Sequence, residues 1–185
     1  SVRPLRDFFP RHGMELIDVV DVPSKGGSIR CTVQLAGGPR PVSSEVQKHV
    51  ALEESLGVYE DSFYKSCAEH VQAAKEELGQ ILEKGKKEGK TFAGYGTSIG
   101  ATIFTYQLSL GESIKFFVDD DPYRQNLVSP GYHIPVMGSQ ALYDQKPDYV
   151  LIMAPLYSEQ IIAKNQAYQE QGGQFIIIWP KIEIR

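Results

Sequence analysis

Two cysteines in 185 residues leave little material for a disulfide framework or a thiolate metal site. Cys31 and Cys67 stand far apart and form no C-x-x-C pair. Each is therefore expected to be a buried free thiol, and the cytoplasm is the expected compartment. The four histidines are scattered without metal-ligand spacing. No apolar run approaches the roughly 20 residues of a membrane-spanning helix, and no stretch reads as a signal peptide, so no membrane partner is expected. Positive charge is in deficit: 19 Lys and Arg against 23 Asp and Glu give a net charge of −4. With no basic tract, nucleic acid is not an expected partner either. There is no G-x-S-x-G, and neither cysteine has a foreseeable histidine partner. Catalysis by this chain alone therefore has little support.

What is present is ordinary for a globular protein: 42% hydrophobic and 23% charged residues, enough for a sizeable core. The chain opens on Ser1 rather than Met, directly in helix-like sequence, which reads as a piece cut from a longer protein. Val2, Leu5, Phe8 and Phe9 recur at helical spacing, Pro10 ends or bends that helix, and Gly13 stops it. Residues 14–22 and 28–36 read as an antiparallel strand pair. The Gly-, Pro- and Ser-rich stretch 37–44 marks a boundary. A helix capped by Ser44 runs to about Leu56, closed by Gly57. A longer helix over 61–88 carries one apolar stripe of Phe63, Cys67, Val71, Ala74, Leu78, Ile81 and Leu82, a packing face. After it the order is strand 91–95, helix 98–108, strand 113–118, short strand 134–136, short helix 139–143, strand 149–154, helix 159–171 and strand 174–178. This alternation predicts an α/β, Rossmann-like, mainly parallel sheet with helices on both faces, preceded by a helix, an antiparallel strand pair and a long helix.

The most informative segment is TFAGYGTSIGATIFTYQLSLGESIKFFVDDD, residues 91–121. A strand runs into a G-x-G-x-x-x-G loop, a helix follows, and the next strand ends in three acids. Gly94 is read as permitting a tight turn, Gly96 as permitting close approach of a ligand, and Gly100 as permitting the helix to pack near the sheet. The helix directs its free N–H groups at the ligand. Tyr95 belongs to the same loop, and Thr97 and Ser98 add hydroxyls. Asp119 stands where a ribose hydroxyl or a base is often held, with Asp120 beside it. Alternatively, some of Asp119 to Asp121 simply cap the turn before Pro122. In the loop that follows, Tyr123 and Arg124 are candidates for a base and a phosphate. His133 is a candidate polar contact or acid/base group or, alternatively, a loop-fixing group. Ligands on such sheets bind beyond the carboxyl ends of the strands, where loops 94–100, 119–133 and 154–158 meet.

GYGTSIG, FVDDDPYRQNLVSPGYHIPV and PDYVLIMAPLYSEQIIAKNQAYQEQGGQFIIIWP, in this order, resemble the C-terminal domain of sugar C-methyltransferases, which methylate a ring carbon of nucleotide-linked deoxysugars. LRDFFPRHGMELIDVVDVPSKGGSIRC resembles the helix and strand pair that close the preceding methyltransferase domain. The resemblance implies three segments: residues 1–38 as that tail, 39–90 as a helical linker, and 91–185 as a Rossmann-like substrate-binding domain. It implies a parent with upstream domains that hold the S-adenosylmethionine site, the catalytic base and a zinc-binding region, all outside this chain. In that parent a base removes a proton next to a carbonyl and the carbanion takes the methyl group. This chain would bind and close over the nucleotide-sugar substrate. Three places depart from the family pattern. The glycine loop reads TSIGAT where the family has APAKGNT, Lys25 stands for a histidine, and Pro155 and Leu156 stand for W-N.

Two other functions fit the residues. An NAD(P)-binding oxidoreductase module would use the glycine loop with Asp119. A structural or dimerisation domain would use the loop only as a turn.

Overall fold

A computed structural model describes residues 1–185, and the chain divides into two compact units, Ser1–Ala68 and Glu69–Arg185. In the first unit, α1 (Val2–Phe8) runs into a 3-10 turn at Phe9–His12, which Gly13 ends at a φ of 66°. Strands β1 (Met14–Val22) and β2 (Ser28–Leu35) pair antiparallel, with an irregularity between Leu16 and Asp18. Helix α2 (Ser44–Ser55) is capped by Ser43, whose hydroxyl accepts from the Glu45 N–H, one residue before the expected Ser44. Ser43 keeps the extended backbone an N-cap needs, φ −67° and ψ 145°, whereas Ser44 is already helical. Val2, Leu16, Val19, Val46 and Val50 form the core of this unit.

Helix α3 (Asp61–Lys87) follows the expected span, but its apolar stripe is not uniformly buried. Leu78, Leu82 and Gly85 are buried, whereas no residue of its first three turns is. The expectation of two buried thiols fails accordingly: Cys67 is exposed and Cys31 half-buried. A stripe at helical spacing states which face is apolar, not where along the helix a partner lies against it.

The second unit is a six-stranded sheet in the order β5-β4-β3-β6-β7-β8. Its strands are β3 (Phe92–Tyr95), β4 (Ile114–Val118), β5 (Val136–Met137), β6 (Tyr149–Ile152), β7 (Gln174–Ile177) and β8 (Glu183–Ile184). All pairs are parallel except the last. β8 is too short to show a period of two in the sequence. Helices α4 (Ile99–Gln107), α5 (Ala141–Gln145), α6 (Ser158–Lys164) and α7 (Gln166–Glu170) complete it. The single helix expected over 159–171 is two. Asn165 breaks it: its amide is buried and donates to the Ile161 carbonyl at 2.8 Å, and its backbone leaves the helical region.

The strands are covered on both faces. On one, Leu78 and Leu82 of α3 and Ala101 of α4 lie over Phe92, Phe117, Leu151 and Ile176. On the other, Leu142 of α5, Ile161 of α6 and Tyr168 of α7 lie over Ala93, Val118, Val150 and Phe175. Strand β4 carries an extra residue: Phe92 pairs with Ile114, but Gly94 pairs with Phe117. This bulge turns Ile114 and Phe117, three apart, to the same face. It also explains Gly94. A Cβ there would lie 2.4 Å from the Phe117 ring, so this glycine makes room in the sheet rather than turning the chain. Gly100 likewise does not serve close helix packing, since a Cβ there would meet only the Ser98 hydroxyl, at 3.5 Å.

Candidate functional site

From β3 the chain steps to β4 and β5 on one side, then returns to β6 and β7 on the other. The order reverses between β3 and β6. The two connections leave in opposite directions there, and a crevice opens at the carboxyl ends. A cleft of about 450 Å³ occupies this place, lined by residues of three segments: 95–98 after β3, 119–124 after β4, and 154–164 after β6.

Gly96 turns the chain out of β3 with a φ of 97° and donates its N–H to the Val118 carbonyl at 2.8 Å. No other residue type adopts that backbone without strain. Asp119 then holds the loop. Its Oδ2 accepts from the Thr97 N–H at 2.8 Å and from the Thr97 hydroxyl, and its Oδ1 accepts from the Asp121 N–H at 2.9 Å. The Arg124 guanidinium adds a contact at 3.3 Å. Burial pushes the Asp119 carboxyl up, but the Thr97 hydroxyl, the two N–H donors and Arg124 outweigh it and hold it below the usual carboxylate range. Asp119 was expected to contact a ribose or base. Its side chain, only 10% exposed, joins the ends of β3 and β4 through these partners while still lining the cleft.

Asp120 has the other fate. Its side chain is 45% exposed and takes the Tyr95 hydroxyl at 2.9 Å on one oxygen and the Lys164 ammonium at 2.7 Å on the other. Tyr95 is buried, and burial with the adjacent acids pushes its hydroxyl up to about 12, so it stays a neutral donor. Arg124, also about half exposed, joins Asp121 as well as Asp119. The Asp121 carboxylate accepts the Tyr123 N–H at 3.0 Å, closing the turn over Pro122.

The cleft thus brings together Tyr95, Gly96, Thr97, Ser98, Asp119, Asp120 and Arg124 of the expected residues. Gly94 is buried in β3, and Gly100 lies on a neighbouring groove. Tyr123 is 90% exposed and lines no wall of the cleft. His133 is exposed at a left-handed φ of 53°, its N–H bound to the Ser129 carbonyl, and it too lies outside. Three cleft residues lie outside the loops named from the sequence: Gln160, Ile161 and Lys164. With Tyr157 of the 154–158 loop they recur at three, one and three, along one face of α6, a trace legible only once that helix is known to point at the loop. No three His, Cys, Asp or Glu side chains converge in a way that would hold a metal ion. No helix is long and apolar enough to cross a membrane.

Comparison with known proteins adds the family. A family model described as C-methyltransferase C-terminal domain matches residues 23–180. The C-methyltransferase NovU of Streptomyces niveus is 29% identical over 182 residues, 98% of this chain and 43% of NovU. The chain therefore spans less than half the length of that relative. The crystal structure of UDP-D-quinovosamine 4-dehydrogenase from Vibrio fischeri overlaps 52% of this chain and 93% of its own, at 14% identity and a TM-score of 0.39. A likeness that weak supports no argument.

Proposed function

The chain belongs to the family of C-methyltransferase C-terminal domains, and from that premise we propose that it is the substrate-holding part of an S-adenosylmethionine-dependent C-methyltransferase. The ligand of its cleft is a nucleotide-linked sugar or a closely related small molecule. The name of the relative NovU is in line with a C-methyltransferase.

The observation that carries the reading is the Asp120–Lys164 pair in an open cleft at the reversal of strand order. A sugar presents hydroxyls that donate and accept, and a nucleotide adds phosphate oxygens that only accept. Asp120 accepts from hydroxyls, while Lys164 and Arg124 donate to anionic oxygens. Both cations already have carboxylate partners, but about half of each side chain stays in solvent. A ligand can therefore share them without stripping a buried charge. Gly96 keeps the loop wall free of a side chain, and Tyr157 offers a flat exposed face.

On the family premise the methyl donor is held elsewhere. In this chain the Asp119 carboxylate is occupied by Thr97, Asp121 and Arg124, which leaves Asp120 as the acid open to a ligand. The donor site, the base that takes the substrate proton and any zinc site then belong to upstream parts of the parent protein. The part played by this chain is to bind and orient the acceptor.

A thermal-shift panel of dTDP- and UDP-sugars, NAD(P) and S-adenosylmethionine tests this. A nucleotide-sugar at 100 times its dissociation constant is expected to add about 2.7 kcal/mol, with no shift from S-adenosylmethionine alone. A shift from NAD(P) only would favour an oxidoreductase module, and a flat panel a purely structural domain.

A further inference from the structure

Two tyrosines of the second unit are buried alike and spend their hydroxyls differently. Tyr168 and Tyr95 are each 3% exposed. The Tyr168 hydroxyl donates to the Pro147 carbonyl at 2.7 Å, so backbone alone satisfies it. The Tyr95 hydroxyl donates at 2.9 Å to Asp120, a side chain left 45% exposed in the cleft. A buried hydroxyl needs an acceptor, but that need does not call for a carboxylate that water could serve equally well. The bond therefore does more for Asp120 than for Tyr95.

Asp120 has two holds. Lys164, at 2.7 Å, is itself 55% exposed, and an ion pair to a lysine that stays largely in solvent fixes little. Tyr95 ends β3 and is packed in the core with Val118, Ile152 and Ile161. The Asn165 amide, buried at the break between α6 and α7, stands beside its hydroxyl. Only this second hold is rigid. A carboxylate offers about four acceptor sites. Tyr95 takes one on Oδ2 and Lys164 one on Oδ1, so each oxygen keeps capacity for a ligand in the cleft.

We infer that Tyr95 is a positioning residue: it holds Asp120 where the carboxylate accepts from a sugar hydroxyl, and through Asp120 it sets the preference of the cleft for a sugar over a bare nucleotide. The inference rests on the nucleotide-sugar reading of the cleft. An acceptor fixed in advance spares the ligand the cost of ordering it, which for one side chain is worth about fivefold in affinity.

Calorimetry of the full chain with dTDP-glucose and with dTDP tests this. Tyr95→Phe keeps the buried ring, removes only the hydroxyl and strands no charge. It is expected to weaken dTDP-glucose about fivefold and to leave dTDP within about twofold. Asp120→Asn is expected to weaken dTDP-glucose about tenfold. The double variant is also expected to lose about tenfold, not the roughly fiftyfold of two independent effects. Tyr168→Phe, the buried tyrosine away from the cleft, is expected to leave both affinities unchanged. A readout without ligand is the carbon signal of the Asp120 carboxyl, expected to move in Tyr95→Phe while the Thr97 amide, held by Asp119, stays in place.

If Tyr95→Phe binds dTDP-glucose like the parent, if the two losses multiply, or if the Thr97 amide moves with the Asp120 carbon, Tyr95 does not act through Asp120. The inference is then overturned and the nucleotide-sugar reading stands. If the parent chain binds dTDP as tightly as dTDP-glucose, the preference itself is absent and the inference is again overturned. If neither ligand binds the parent chain, the nucleotide-sugar reading falls and the inference falls with it.

Discussion

The two ends of the parallel sheet carry the same clamp. At the amino end, Asp148 accepts from the Thr91 N–H and hydroxyl, both at 2.9 Å, and from Lys90 at 2.9 Å, joining the starts of β3 and β6. At the carboxyl end, Asp119 accepts from the Thr97 N–H and hydroxyl and from Arg124, joining the ends of β3 and β4. One aspartate, one threonine used twice and one cation suffice in each case. Only the carboxyl end has a second acid, Asp120, left partly open and paired across a crevice with Lys164. The clamp is thus structural chemistry wherever two strand ends must be tied. A site arises where the chain order reverses and something remains after the tying is done.

Four substitutions test that comparison, from the largest effect on stability to the smallest. Asp119→Ala leaves a threonine hydroxyl and two backbone N–H groups without their buried acceptor, and urea unfolding is expected to show a loss of about 2–4 kcal/mol. Because the Asp119 carboxyl is held below its usual range, its contribution is complete above the unfolded pKa of about 3.9. It is lost as pH falls through the lower folded value. The Asp119→Ala variant should therefore show a shallower loss of stability than the parent in acid below about pH 4. Gly96→Ala forces a side chain into a φ of 97° with its Cβ 3.3 Å from that of Ala154, and is expected to cost about 1–2 kcal/mol. Asp148→Ala removes the matching clamp, but that side chain is 34% exposed and water replaces part of what is lost. About 1 kcal/mol is expected. A cost equal to that of Asp119→Ala would break the contrast between the ends. Asp120→Asn disturbs an exposed pair and is expected to change stability by less than about 0.5 kcal/mol. The same variant should weaken nucleotide-sugar binding by about tenfold in calorimetry, the loss of one charge-assisted contact. Unchanged affinity there would remove Asp120 from the site.

Much of the fold was legible because periodicity reports burial directly. Residues 149–154 and 175–178 are continuous apolar runs, and they fall on the interior strands β6 and β7. The misreadings share a cause: they concern which partner a residue meets. Asn165 splits a helix because its amide finds the Ile161 carbonyl in the interior. Gly94 answers to the ring of Phe117, 23 positions on, through a bulge that no local pattern displays. Cys67 sits on an apolar stripe whose first half nothing buries. In the candidate site, the 96–98 loop, the acids and the 154–158 loop were read from the sequence, while Gln160 and Lys164 were not. Those two come to the cleft only through the direction in which α6 runs.

Composition and local pattern by themselves determined the class of this protein: an α/β chain with a glycine turn and acids at neighbouring strand ends. Those properties follow from propensity and from the period of burial, which are local. The division of labour between Asp119 and Asp120 was decided only in the tertiary structure. The two residues are chemically identical neighbours, and alternation along the chain turns one into the sheet's end, where Thr97 waits, and the other toward Lys164 across the cleft. Which of two equal carboxylates is consumed by structure depends on the donors that folding brings to each, and those donors come from segments far away in the sequence.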